Sequence, residues 1–225
     1  MSNRVKLVVV AVLCALVAIG VVVAATAPQQ NEGKGTTGTG ARVAFYGDSY
    51  TLGTGASSPD KRWSTIVSEK RNWNEFNPSV NGLGFVANRS EFGDGDVPSL
   101  IIDEKPEIVF VTMGLNDNFL YDFAADDIRS QIPADLDRMK EALPDARFIV
   151  VEPFWYTEDR PQSVDVIIGW VEDAAAAIDA DYIAGASRWI EGHPEWLADD
   201  ELHPNDEGYA AMAERMEEEL ARLGL

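Results

Sequence analysis

Two histidines are the only imidazoles in this 225-residue chain, and they bound the proton chemistry open to it. A serine hydroxyl is a weak nucleophile near neutral pH and attacks a carbonyl only with a base beside it. Ser49, in Gly47-Asp48-Ser49-Tyr50, is a candidate nucleophile; His203, in Asp200-Glu201-Leu202-His203-Pro204, is a candidate base. Asp200 stands three residues before His203, where a carboxylate can fix the imidazole tautomer and stabilise its charged form. His193, in Glu191-Gly192-His193-Pro194, has no such aspartate, so the orientation requirement favours His203. Each feature alone has a structural reading: a serine caps helices, an asparagine makes turns, and Asp-x-x-His can start a helix. Their common placement decides between the readings.

That placement comes from the elements around them. Arg42–Tyr46, Glu107–Met113 and Arg147–Glu152 are short continuous apolar runs, as expected of strands buried on both faces. Phe76–Asn81 and Asp181–Ala184 are weaker strand candidates, the first compromised by Pro78. Between them lie helical patterns. Ser163 is placed to cap a helix carrying Val164, Ile167, Ile168, Val171, Ala175 and Ile178. Ile128, Ile132, Leu136, Met139 and Leu143 form a second stripe, with Pro133 expected to kink or start that helix. Asn205 opens a last helix bearing Tyr209, Met212, Met216 and Leu220. Strand–helix alternation of this kind predicts a parallel sheet covered on both faces.

In such a sheet ligands bind beyond the carboxyl ends of the strands. Read in order, those ends carry Gly47-Asp48-Ser49-Tyr50, Asn81-Gly82-Leu83-Gly84, Gly114-Leu115-Asn116-Asp117 and Pro153-Phe154-Trp155-Tyr156, with Asp200 to Pro204 near the C-terminus. A serine, a glycine-rich turn, an amide and an Asp–His pair therefore converge on one face.

These blocks resemble the motifs of the SGNH (GDSL-type) esterase and lipase family, over essentially all of residues 41–225. The Gly-x-Asn-Asp and Asp-x-x-His-Pro blocks are specific in combination. Tyr50 stands where the family usually has leucine, a change expected to alter only local packing, and the block around Gly82 is looser. The resemblance implies a three-layer α/β/α sandwich with a five-stranded parallel sheet of flavodoxin-like order. It implies Ser49 as nucleophile, His203 as general base and then acid, and Asp200 as its orienting carboxylate. The oxyanion hole would come from the backbone N–H groups of Ser49 and Gly82 and the side-chain amide of Asn116, with Gly84 as the alternative to Gly82. Phe154, Trp155 and Tyr156 are candidates for an apolar or sugar-stacking substrate surface.

Composition and the remaining motifs exclude other classes. Hydrophobic residues make up 46% of the chain, enough for one core. The formal charge of −20 argues against nucleic acid as a partner. One cysteine rules out a disulfide framework and a Cys-rich zinc site, and no His-Glu-x-x-His occurs. Asp94 and Asp96 could attract calcium, but a solvated acidic turn is the better reading. No cofactor or metal is expected.

Residues 1–27 contain an uncharged apolar run from Leu7 to Ala27, preceded by Arg4 and Lys6. It reads as an N-terminal hydrophobic helix, either a retained membrane anchor or a signal peptide cut after Ala25-Thr26-Ala27. Residues 28–40 read as a flexible linker, and 41–225 as the hydrolase domain outside the cytoplasm. The expected activity is hydrolysis of a carboxylic ester, either a small acyl ester or an acylated envelope sugar. Lysophospholipid or thioester hydrolysis, acyl transfer, and a non-catalytic binding module remain as alternatives.

Overall fold

A computed structural model describes residues 38–92 and 95–225. The expected helix at 1–27, most of the linker, and Asp94 lie outside the described residues. Residues 38–40 run beside the domain, with Gly40 N–H donating to Asn72 O at 2.8 Å. Among the described residues no helix is long and apolar enough to cross a membrane.

Five strands form the frame: β1 (Arg42–Gly47), β2 (Asn74–Phe76), β3 (Ile108–Thr112), β4 (Arg147–Val151) and β5 (Asp181–Ile183). All neighbouring pairs are parallel, in the order β2-β1-β3-β4-β5. This is the flavodoxin-like order, with its switch point between β1 and β3. Among the described residues six α-helices follow in chain order: α1 (Ser49–Leu52), α2 (Trp63–Lys70), α3 (Val97–Glu104), α4 (Tyr121–Ala142), α5 (Gln162–Ala177) and α6 (Asp206–Arg222).

Alternation along the strands divides the core in two. Val43 and Phe45 of β1 and Phe110 of β3 join Trp63 and Val67 of α2 and Tyr209, Met212 and Met216 of α6. Ala44 and Tyr46 of β1 and Val109 and Val111 of β3 face the other way, onto Ile101 of α3, Ile132 and Leu136 of α4 and Val171 of α5. The result is the expected three-layer sandwich. Fully burying one such aliphatic or aromatic side chain is worth about 1.5–3 kcal/mol, which explains why periodicity located α4, α5 and α6; α2 and α3 were not read from the sequence.

Local chemistry corrected several boundaries. The second strand is Asn74–Phe76, not Phe76–Asn81. Its central Glu75 is buried because Arg62 pairs with it at 3.1 Å and the hydroxyls of Ser64 and Thr65 donate to it. Ser163 does not cap α5, which starts at Gln162 after Pro161; its hydroxyl donates to Asn118 Oδ1 at 2.6 Å. Pro133 lies inside α4, and the break in helical geometry falls at Ala124. Asn205 does cap α6, accepting from the N–H groups of Glu207 and Gly208.

Candidate active site

The turn after β1 places Ser49 at the first position of α1. Asp48 caps that helix, its carboxylate accepting from Tyr50 N–H at 2.9 Å. The first N–H groups of a helix have no intrahelical acceptor, so the Ser49 N–H remains available. Ser49 is 5% exposed and borders a cavity of about 230 Å³. Gly82, Asn116 and His203 border the same cavity. Four residues named from the sequence, drawn from three strand ends and a C-terminal loop, are thereby brought together.

His203 reaches this cavity on a loop organised by Asp200. Asp200 Oδ1 accepts from the N–H groups of Leu202 and His203 at 3.0 and 2.9 Å. Its Oδ2 lies 2.6 Å from His203 Nδ1, leaving Nε2 as the nitrogen for further chemistry. Partial desolvation opposes ionisation of Asp200, but the hydrogen bonds from His203 and Leu202 prevail and bring its pKa down to about 2. The carboxylate is therefore charged whenever the imidazole could act as a base. Among the described residues Ser49 Oγ and His203 make no hydrogen bond to each other. His193 is elsewhere, stacked on Trp196 at a centroid distance of 3.7 Å with Nδ1 2.9 Å from Glu195 Oε1.

Of the two glycines in this turn, only Gly82 borders the cavity among the described residues. Gly82 borders the cavity in the left-handed region, at φ 72°, and its N–H has no acceptor among the described residues. Gly84 spends its N–H on Ala87 O at 2.9 Å. Two groups that sequence reasoning left without a role shape this turn. Asp117 accepts from the N–H groups of Phe85, Val86 and Ala87 at 2.7, 2.8 and 3.2 Å. Asn88 Nδ2 donates to Gly82 O at 2.9 Å. The adjacency of Asp117 to Asn116 was the only signal in the sequence, and the three N–H groups it meets lie some thirty residues away in the chain.

Asn116 is engaged as well as exposed to the cavity. Its Nδ2 donates to Leu83 O at 2.9 Å and, over a longer 3.3 Å, to Asp48 Oδ2. Burial raises the Asp48 pKa to about 7.

The aromatic cluster after β4 requires a correction. Phe154 and Trp155 are only 2% and 3% exposed, and neither borders the cavity. Phe154 packs against Tyr50, Trp63 and Trp189, closing the core. Trp155 spends its indole N–H on Thr157 Oγ1 and Asp159 O. Tyr156 is partly buried against Trp155 and does not border the cavity either. The exposed rings are instead Phe119 and Phe123, 54% and 90% exposed, on the segment that follows Asn116. Asp96 is occupied by protein: it caps α3 through Ser99 N–H, and Arg89 and Arg138 approach its carboxylate at 2.7 and 2.6 Å.

A doubly wound α/β domain with a serine, an imidazole and an amide at the switch point defines a class of hydrolase scaffold. The chain belongs to the GDSL-like lipase/acylhydrolase family, whose model matches residues 45–211, and it is a hydrolase. It is similar to the GDSL lipase Rv0518 of Mycobacterium tuberculosis, 26% identical over an alignment of 191 residues, with 77% of this chain and 79% of the relative covered. In fold it is similar to the psychrotrophic esterase EstA from a Pseudoalteromonas species, determined with monoethylphosphonate as inhibitor. That likeness has a TM-score of 0.64 at 15% identity and covers 82% of this chain and 98% of the other. The acetylxylan esterase Axe2 from Geobacillus stearothermophilus is similar with a TM-score of 0.59 at 18% identity, covering 79% and 93% of the two chains.

Proposed function

We propose that this chain is a serine esterase that hydrolyses small acyl esters, acylated envelope sugars among them, with Ser49, His203 and Asp200 acting in series. The observation that carries this reading is the shared cavity of Ser49 and His203, with Asp200 Oδ2 2.6 Å from the far side of the imidazole. His203 Nε2 takes the Ser49 proton as Oγ bonds to the ester carbonyl carbon. The carbonyl oxygen becomes an oxyanion between the N–H groups of Ser49 and Gly82 and the Asn116 amide, which gives up its long contact to Asp48. Collapse of the tetrahedral centre breaks the C–O bond, and the imidazolium passes its proton to the departing alcohol. Water then repeats the sequence on the acyl-serine, and the carboxylic acid leaves.

A cavity of about 230 Å³ fits a short acyl group. The high negative charge of the chain supports a neutral substrate over an anionic one. The apolar run behind Arg4 and Lys6 supports a location outside the cytoplasm. Phe119 and Phe123, exposed on the segment that follows Asn116, favour a second reading in which a longer acyl chain lies over them. A series of p-nitrophenyl esters separates the two. Fastest turnover of acetate, abolished in Ser49→Ala, supports the first; a maximum at eight carbons or more favours the second. Full activity in Ser49→Ala contradicts both.

A further inference from the structure

Tyr50 does more than fill space. It follows Ser49 on α1, and its main chain is fixed there: its N–H donates to Asp48 Oδ1 at 2.9 Å and its carbonyl accepts from Trp63 Nε1 at 3.1 Å. Its buried ring stacks on Phe154 with centroids 5.8 Å apart and lies 6.0 Å from the His203 ring. Its hydroxyl donates to Leu202 O at 2.6 Å. The peptide unit between Leu202 and His203 is consequently held at both ends, its carbonyl by Tyr50 and its N–H by Asp200 Oδ1.

The same two segments meet a second time. Gly55, at φ 93°, lies so close to the histidine loop that a β-carbon there would sit 2.5 Å from Pro204 O. Asp200 and His203 belong to one short loop and hold each other, so nothing in their own pairing sets how far that loop stands from Ser49. The contacts from Tyr50 and Gly55 bear on it directly, beside the bonds that Tyr209 and Asp206 of α6 make to Thr54 O and Ser57.

We propose that Tyr50 is a positioning residue for ester hydrolysis, its hydroxyl tying the peptide bond before His203 to the helix that begins with Ser49. The proposal rests on the Ser49–His203 reading above. A leucine would fill this site but could not donate to Leu202 O. Burial holds the phenol pKa well above its ordinary value, so the group stays a donor wherever the enzyme would work.

The test is steady-state hydrolysis of p-nitrophenyl acetate by wild type, Tyr50→Phe, Tyr50→Leu and Ser49→Ala, with a thermal melt of each. Small misplacements of reacting groups cost orders of magnitude in rate, so Tyr50→Phe should lower kcat about 10-fold with KM changed less than about twofold and a cooperative melt retained. Tyr50→Leu should show the same split. A kcat within about twofold of wild type in both variants, or a rise in KM alone, overturns the positioning role while an inactive Ser49→Ala leaves the esterase reading standing. An active Ser49→Ala overturns the esterase reading and this inference with it. Failure of both Tyr50 variants to fold assigns the residue to the core and likewise overturns the proposal.

Discussion

Asn116 borders the cavity with its amide already engaged. One amide hydrogen is committed to Leu83 O at 2.9 Å, and the other makes the weaker 3.3 Å contact with Asp48. An oxyanion offers a stronger, charged acceptor for that second hydrogen. Asn116→Ala should therefore lower kcat about 100- to 1,000-fold with an unchanged melting midpoint, measured on the ester the enzyme turns over fastest. Asp48 makes a separate prediction about stability. Its carboxyl has an ordinary pKa of 3.8 in the unfolded chain and about 7 when folded and desolvated. Between those values the folded chain holds a proton that the unfolded chain has lost, so this contribution is full below 3.8 and is lost as pH rises towards 7. Its size is on the order of 4 kcal/mol. Melting curves at stepped pH should show Asp48→Asn gaining on wild type from pH 4 to 7; parallel curves would contradict the shift. Asp200 runs the opposite way, its stabilisation present above 3.8 and lost as pH falls towards 2.

At the scale of elements, the strands buried on both faces and the striped helices were legible because apolar periodicity reports burial directly. The boundaries that moved did so for reasons periodicity does not encode. β2 contains a charged residue whose partner, Arg62, comes from the chain before α2. The Ser163 hydroxyl donates to Asn118 Oδ1 instead of accepting from the first N–H groups of its own helix. The serine, the Asp–His pair, Gly82 and Asn116 were readable as motifs, and Ser49, Gly82, Asn116 and His203 border one cavity. Asp117 and Tyr50 were not readable, since their roles depend on main-chain groups distant in sequence. The aromatic run after β4 misled for a related reason: a strand end can point its rings into the core as readily as into a site. Phe154→Ala should accordingly cost about 3–5 kcal/mol in urea unfolding, as loss of a buried ring does. Phe123→Ala should change stability by less than about 0.5 kcal/mol. If Phe119 and Phe123 carry a longer acyl chain, Phe123→Ala should also raise KM for the longer esters selectively. Equal stability of the two variants would contradict the assignment of Phe154 to the core.

For the whole molecule, one topological fact gathers the chemistry: β1 and β3 are neighbours at which the chain order reverses, so the turns after them open onto a common crevice. The last loop before α6 supplies the imidazole to the same place. The account requires Ser49 to be activated there by His203, and a fluorophosphonate reports that activation in a single covalent event. Peptide mapping of the treated, folded protein should find the phosphonyl adduct on Ser49, and treatment of His203→Ala should leave that peptide unmodified. An adduct on a different serine, or an untouched Ser49 in folded wild-type protein, would contradict the account.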